Sequence, residues 1–112
     1  MPSEDSHYTK EQYPHQRIYQ RDNFKCRYCG WDGKESFEKF FVANLGVDHI
    51  KPIYAGGTDD DSNLVLACHA CNLYKGKQDC NTFEEAREFV FKKRKEAENW
   101  YSRFVLSANK NK

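Results

Sequence analysis

No stretch of the 112-residue chain approaches the roughly 20 consecutive apolar residues that a membrane-spanning helix needs. The opening decapeptide, MPSEDSHYTK, lacks the apolar centre of a secretory signal. Both absences lead to the expectation of a cytoplasmic protein with no membrane partner. An excess of either charge is missing as well: 18 basic and 17 acidic residues leave a formal net charge of +1. The chain as a whole therefore has no electrostatic pull toward a polyanion, and any such attraction must be local. A disulfide framework is not expected either, because five cysteines is an odd number and a reducing compartment keeps thiols free.

What is present is concentrated. The length suits one domain and is short for two, and a core that small needs a staple. Aromatic residues reach 15%, so the apolar material sits in a few large side chains. Residues 47–76, VDHIKPIYAGGTDDDSNLVLACHACNLYKG, gather an Asp-His pair, a Gly-Gly loop, an apolar run, a CxxC pair and an Asn after the second Cys. A core needs none of those polar types, which marks the segment as a site.

Along the chain, residues 1–13 are polar and without periodicity, which reads as a flexible arm. Pro14 suits the first position of a short helix reaching Arg21, with Ile18 and Tyr19 as its apolar contacts. Arg17, Arg21, Lys25 and Arg27 crowd here and fit phosphate contacts and a solvated basic face equally well. FKCRYCG forms a first knuckle, with Trp31 beside it. Phe37, Phe40 and Phe41 predict a short helix capped by Ser36, with a buried strand as the competing reading. Residues 47–50 read as a strand, residues 51–63 as a loop, and residues 64–67 as a returning strand. The second knuckle, Cys68 to Cys71, is followed by a helix from Asn72 to about Lys77. Thr82 and Glu85 make a capping box. Beyond it Phe83, Ala86, Phe89, Val90, Ala97, Trp100, Tyr101 and Phe104 recur at helical spacing, predicting a long amphipathic helix over about 83–106 that covers the core. Its KKRK run, Lys92 to Lys95, reads as a solvated face.

Four of the five cysteines pair as Cys26/Cys29 and Cys68/Cys71. Two CxxC pairs supply the four soft thiolates of a closed tetrahedral zinc site, which leaves no open position for chemistry and makes the zinc structural. The 38 residues between the pairs exceed the ~15–20 of many zinc ribbons, so the insert carries structure of its own. A redox role for either pair lacks the expected βαβ context.

Chemistry then requires a second centre. Asp48 and Asn72 offer hard oxygen ligands suited to Mg²⁺ or Mn²⁺. His49 suits a general base, since neutral imidazole accepts a proton near neutral pH. Neighbouring strand residues face opposite ways, so the strand must end or twist at His49.

Taken together, CRYCG, VDHIKP, AGGTDDDSNLVLACHACN and the trailing YKG resemble the HNH nucleases of the ββα-metal type, in the branch with a four-cysteine zinc site. The resemblance covers about residues 17–76 and aligns His49, Asn63 and Asn72 with the three eponymous positions. It implies a ββα core at about 47–78; with the short N-terminal helix and the long C-terminal helix read from the pattern, the latter outside the shared motif, the expected fold is α+β in a single nuclease domain of residues 14–112. It implies that Asp48 and Asn72 bind the catalytic divalent metal, that His49 is the base, and that Asn63 ties the loop that holds His49. The implied activity is DNA phosphodiester hydrolysis by a single-metal mechanism, leaving 5′-phosphate and 3′-hydroxyl ends. Lys75, Lys77 and Arg27 are candidate nucleic-acid contacts. One site per chain leaves open both nicking and double-strand cleavage by a homodimer. The competing expectation is a non-catalytic, zinc-stabilised nucleic-acid-binding module, which would bind DNA in a salt-sensitive way without cutting it.

Overall fold

The structure, a computed structural model, describes residues 12–110. The expected arm at residues 1–13 lies almost wholly outside them. The element order is α1 (Gln16–Arg21), α2 (Phe37–Ala43), β1 (Gly46–His49), β2 (Leu64–Ala67), α3 (His69–Lys75) and α4 (Phe83–Tyr101). A π-helical turn, Ser102–Leu106, and a last helical turn, α5 (Ser107–Lys110), continue α4. This is a small α+β fold in which two strands and α3 form the centre, and no described helix is long and apolar enough to cross a membrane.

β1 and β2 pair antiparallel, with Asp48 opposite Val65 and His49 opposite Leu64. Residues directly opposite share a face, and successive residues alternate. Asp48 therefore lies on the face of Val65 and Ala67, inside the main core, while His49 lies on the other face. All four β2 residues are buried because α1, through Ile18, packs against β2 on one side and the main core fills the other. The outer edge of β2 is closed by the first knuckle: Arg27 N donates to Leu66 O at 2.8 Å, and Leu66 N donates to the Asp22 carboxylate at 2.9 Å. Asp22 also accepts from Arg21 Nε at 2.8 Å and Arg27 Nη1 at 3.2 Å. Burial alone would raise its pKa, but these partners outweigh that and hold the carboxyl below the usual range.

Several boundaries differ from expectation for local reasons. Pro14 is not the first helical residue; His15 caps α1 in a left-handed conformation, and the helix begins at Gln16. Ser36 does cap α2, accepting from Lys39 N. β1 begins one residue early, at Gly46, and ends at His49. α3 starts at His69 rather than Asn72, so the second CxxC is itself the first turn of a helix and not a free knuckle.

The largest difference concerns α4. Thr82 accepts from Glu85 N, and the Glu85 carboxylate in turn accepts from Asn81 N, one residue before the cap. Phe83 stacks on Tyr28 with ring centroids 5.5 Å apart, and Ala86 and Val90 are fully buried. Beyond Phe91 the helix leaves the core, and Trp100, Tyr101 and Phe104 are exposed instead of covering it. Length explains this: α4 runs about 28 Å at 1.5 Å per residue, whereas its seven-residue partner α3 runs only about 10 Å.

Candidate active site

Cys26, Cys29, Cys68 and Cys71 bring one ligand atom each within 4.8 Å of one another. The first pair sits in a tight turn, with Gly30 N donating to Cys26 O at 2.8 Å and Gly30 at a positive φ of 83°. The second pair straddles the β2–α3 junction. A tetrahedral zinc with Zn–S near 2.3 Å requires sulfurs about 3.8 Å apart, and Cys29 Sγ lies 3.8 Å from Cys68 Sγ. The donor set and its size fit structural zinc. Hydrogen bonds from Cys29, then Cys68 and Cys71, pull Cys26 far below the usual thiol range. The Cys26 thiolate in turn pushes Cys71 up. Only a multivalent cation lets four thiols so close ionise together.

Tyr28 lies between the two zinc ligands of the first knuckle and is almost wholly buried. Its hydroxyl donates to Asp48 Oδ2 at 2.6 Å. Burial, then the Asp48 charge, drives the phenol pKa far upward, so it stays a donor. On the other side Lys75, one of the most buried residues of the chain at 1% exposure, donates from Nζ to His49 O at 3.1 Å and lies 3.9 Å from Asp48 Oδ2. Burial raises the Asp48 pKa, while the Tyr28 bond and Lys75 pull it back down. Lys75 is thus no surface phosphate contact, as the sequence suggested; it is an internal strut between α3 and the end of β1. Arg27 is also engaged, its guanidinium lying 4.7 Å from the Phe83 ring centroid and bonding Asp22. Lys77 is exposed at the α3–α4 connection.

His49 turns the opposite way. Its Nε2 lies 2.8 Å from Asp59 Oδ1. Asp59 escaped the sequence reading, which took the three aspartates only as loop composition; an acid ten residues beyond the histidine, across a returning loop, was the available signal. Asp61, two residues on, pairs instead with Arg17. The loop is closed by Asn63, whose Oδ1 accepts from Lys51 N at 2.9 Å and whose Nδ2 donates to Lys51 O at 3.0 Å and Thr58 O at 2.8 Å. Gly57 allows this closure, since a Cβ there would lie 1.8 Å from Lys51 O. Lys51 Nζ ties the loop to Asp79 at 2.8 Å.

Asn72 follows Cys71 on α3, half-buried and one turn before Lys75. Residues three apart share a helix face, so Asn72 belongs to the side of α3 from which Lys75 reaches β1. No hydrogen bond joins Asn72 to Asp48 among the described residues. The hard-oxygen pair still fits a divalent cation chemically, because a carboxylate offers about four acceptor positions and Tyr28 takes one of them on Asp48.

The four-cysteine cluster, the Asp-His strand end and the Asn on the following helix are thus carried by one ββα unit. Residues 26–78 match the family model described as HNH endonuclease. Over 58 residues, 51% of this chain, it is 40% identical to the CRISPR-associated endonuclease Cas9 of Corynebacterium diphtheriae, but it spans only 5% of that protein's length. No solved structure gives a significant match.

Proposed function

We propose that this chain is a metal-dependent endonuclease that hydrolyses DNA phosphodiester bonds, with residues 14–112 acting as one domain. The observation that carries the reading is the end of β1, where Asp48 and His49 are gripped on opposite faces by fixed partners, Tyr28 and Lys75 on one side and Asp59 on the other. The match of residues 26–78 to the HNH endonuclease model and the likeness to Cas9 support it.

In this reading Asp48 and Asn72 hold Mg²⁺ or Mn²⁺. When bound, the cation neutralises charge developing on the phosphate and the departing 3′ oxygen. His49 takes the proton of the attacking water. With Nε2–H directed to Asp59, the basic lone pair lies on Nδ1, and the Asp59 carboxylate steadies the imidazolium that forms. Asn63 acts as a positioning residue by fixing the loop that carries Asp59. Tyr28 and Lys75 orient the Asp48 carboxylate, and the structural zinc fixes Tyr28 from one knuckle and Asn72 from the other.

Digestion of supercoiled plasmid by wild type and by His49→Ala, with Mg²⁺, Mn²⁺ or chelator, tests the proposal. Metal-dependent nicking that the variant lacks is the expected result; equal nicking by both would remove His49 from the mechanism. The partial neutralisation of Asp48 by Lys75 favours one competing reading, a zinc-stabilised module that binds nucleic acid without cutting it. That module would bind DNA in a salt-sensitive way and never nick it.

A further inference from the structure

Two exposed arginines meet at the first knuckle, each laid on an aromatic ring. The guanidinium carbon of Arg27 lies 4.7 Å from the Phe83 ring centroid, and that of Arg87 lies 4.5 Å from the centroid of Phe91. Phe83, Arg87 and Phe91 follow one another at intervals of four on α4 and so form one row on its surface. Arg87 is thus about 6 Å along the axis from the ring that Arg27 covers. Arg87 Nε also donates to Tyr28 O at 3.2 Å, next in the chain to Arg27, which ties both arginines to the same turn.

The ring and the Nε bond fix the plane of the Arg87 guanidinium, and the edge formed by its two Nη groups has no partner among the described residues. That edge is the fork that meets a phosphate through two parallel hydrogen bonds. Among the described residues the ion pairs of α4 are Lys93 with Glu96 and Arg94 with Glu98, so Arg87 keeps its full charge. Arg27 does have a carboxylate, Asp22, but shares it with Arg21. One negative charge answers two positive ones, and it lies beneath them: the Asp22 side chain is 2% exposed, against 38% for Arg21 and 40% for Arg27. The surface here is therefore positive, in a chain whose total charge is nearly balanced. Its position suits a phosphate backbone. Arg27 N bonds Leu66 O on the outer edge of β2, and Leu66 pairs with Val47. Arg27 therefore stands two strand spacings from β1 and two residues back from His49, which puts the two backbones roughly 12 Å apart. Each strand of a duplex carries a phosphate every ~3.4 Å of axis, so DNA engaged at His49 presents phosphates at this distance about three or four nucleotides away.

We propose that Arg27 and Arg87 form a phosphate clamp that grips the DNA backbone about three or four nucleotides from the cleaved bond. The clamp rests on the reading of the chain as a DNA-cleaving enzyme, and through Arg87 it carries the substrate surface onto α4, beyond residues 26–78.

Fluorescence anisotropy of a labelled DNA duplex, titrated with the full chain in Mg²⁺-free buffer from about 50 to about 200 mM salt, is the test. Arg87→Gln should weaken binding roughly tenfold at the low-salt end. It should also reduce the slope of log affinity against log salt by about 0.9, and adding Arg27→Gln should bring the reduction to about 1.8. Arg87→Lys keeps the charge and should restore the slope while recovering only part of the affinity. Lys93→Gln, about 120° round the helix from Arg87, should leave both unchanged. The loss should be equal on duplexes of unrelated sequence. Melting temperature and zinc content of Arg87→Gln separate the clamp from a packing role, which would move those and not the salt slope. A wild-type slope in Arg87→Gln overturns the proposal, and so does an equal loss in Lys93→Gln, which would make the attraction a diffuse field of α4. Binding is read without cleavage. A chain whose salt slope falls in Arg87→Gln but which never nicks plasmid keeps the clamp and loses the nuclease reading; an unchanged slope beside metal-dependent nicking does the reverse.

Discussion

Two groups of side chains, the four cysteines and the set of Asp48, His49 and Asn72, meet around α3 and are organised by different physics. At Cys26, Cys29, Cys68 and Cys71, four atoms of one kind crowd within 4.8 Å, and proximity is all that zinc asks of them. At Asp48, His49 and Asn72, three different groups are held apart, the first two by partners that fix each orientation: a tyrosine hydroxyl and a buried lysine on Asp48, a loop carboxylate on His49. The first set fits a cation that would complete it and stabilise the fold. The second is set by its neighbours, so the part-exposed His49 can be removed at little expense to folding, whereas the buried Asp48, Tyr28 and Lys75 cannot lose one member so cheaply.

The sharpest break of this contrast is at zinc. Cys71→Ser should abolish zinc binding and unfold the domain, a loss on the order of 10 kcal/mol, read as zinc stoichiometry and loss of the cooperative thermal transition. At the other set, His49→Ala should leave zinc content and melting temperature unchanged while slowing plasmid nicking by about 10²–10⁴-fold. Between these extremes lies Lys75→Met, which strips Asp48 of its ammonium. It should destabilise by about 3 kcal/mol in urea unfolding, and adding Asp48→Asn should recover most of that stability without restoring cleavage.

A smaller effect is expected at Asp22, which joins α1, the first knuckle and β2 away from both ligand sets. Its folded pKa is lowered, so its stabilisation is fully present above the unfolded carboxyl value and is lost as pH falls through the folded one. Asp22→Asn should cost about 2 kcal/mol at neutral pH and flatten the acid limb of stability against pH. Trp100→Ala, on the distal half of α4, should change stability by less than about 0.5 kcal/mol.

The two sets were also legible to different degrees. Paired CxxC spacing is local information, and the cysteines come together as the spacing demanded. The strand at residues 64–67 and the capped starts of α2 and α4 were legible for the same reason, since period and capping chemistry act over a few residues. Lys75 and Asp59 were misjudged because burial of a lysine and return of a loop depend on segments far apart in the chain. The aromatic stripe of α4 misled in the same way: helical spacing reports a face but not whether anything lies opposite it.

By itself, then, the sequence determined the zinc ligands, the two strands with the Asp-His pair at the end of the first, and the helix periods. Those follow from ligand chemistry and from side-chain spacing within one or two turns. Only the tertiary structure decided which groups hold Asp48 and His49, where α4 parts from the core, and that α2 turns its phenylalanines outward. Each of these depends on what a distant segment places within a few ångströms, which no local pattern encodes.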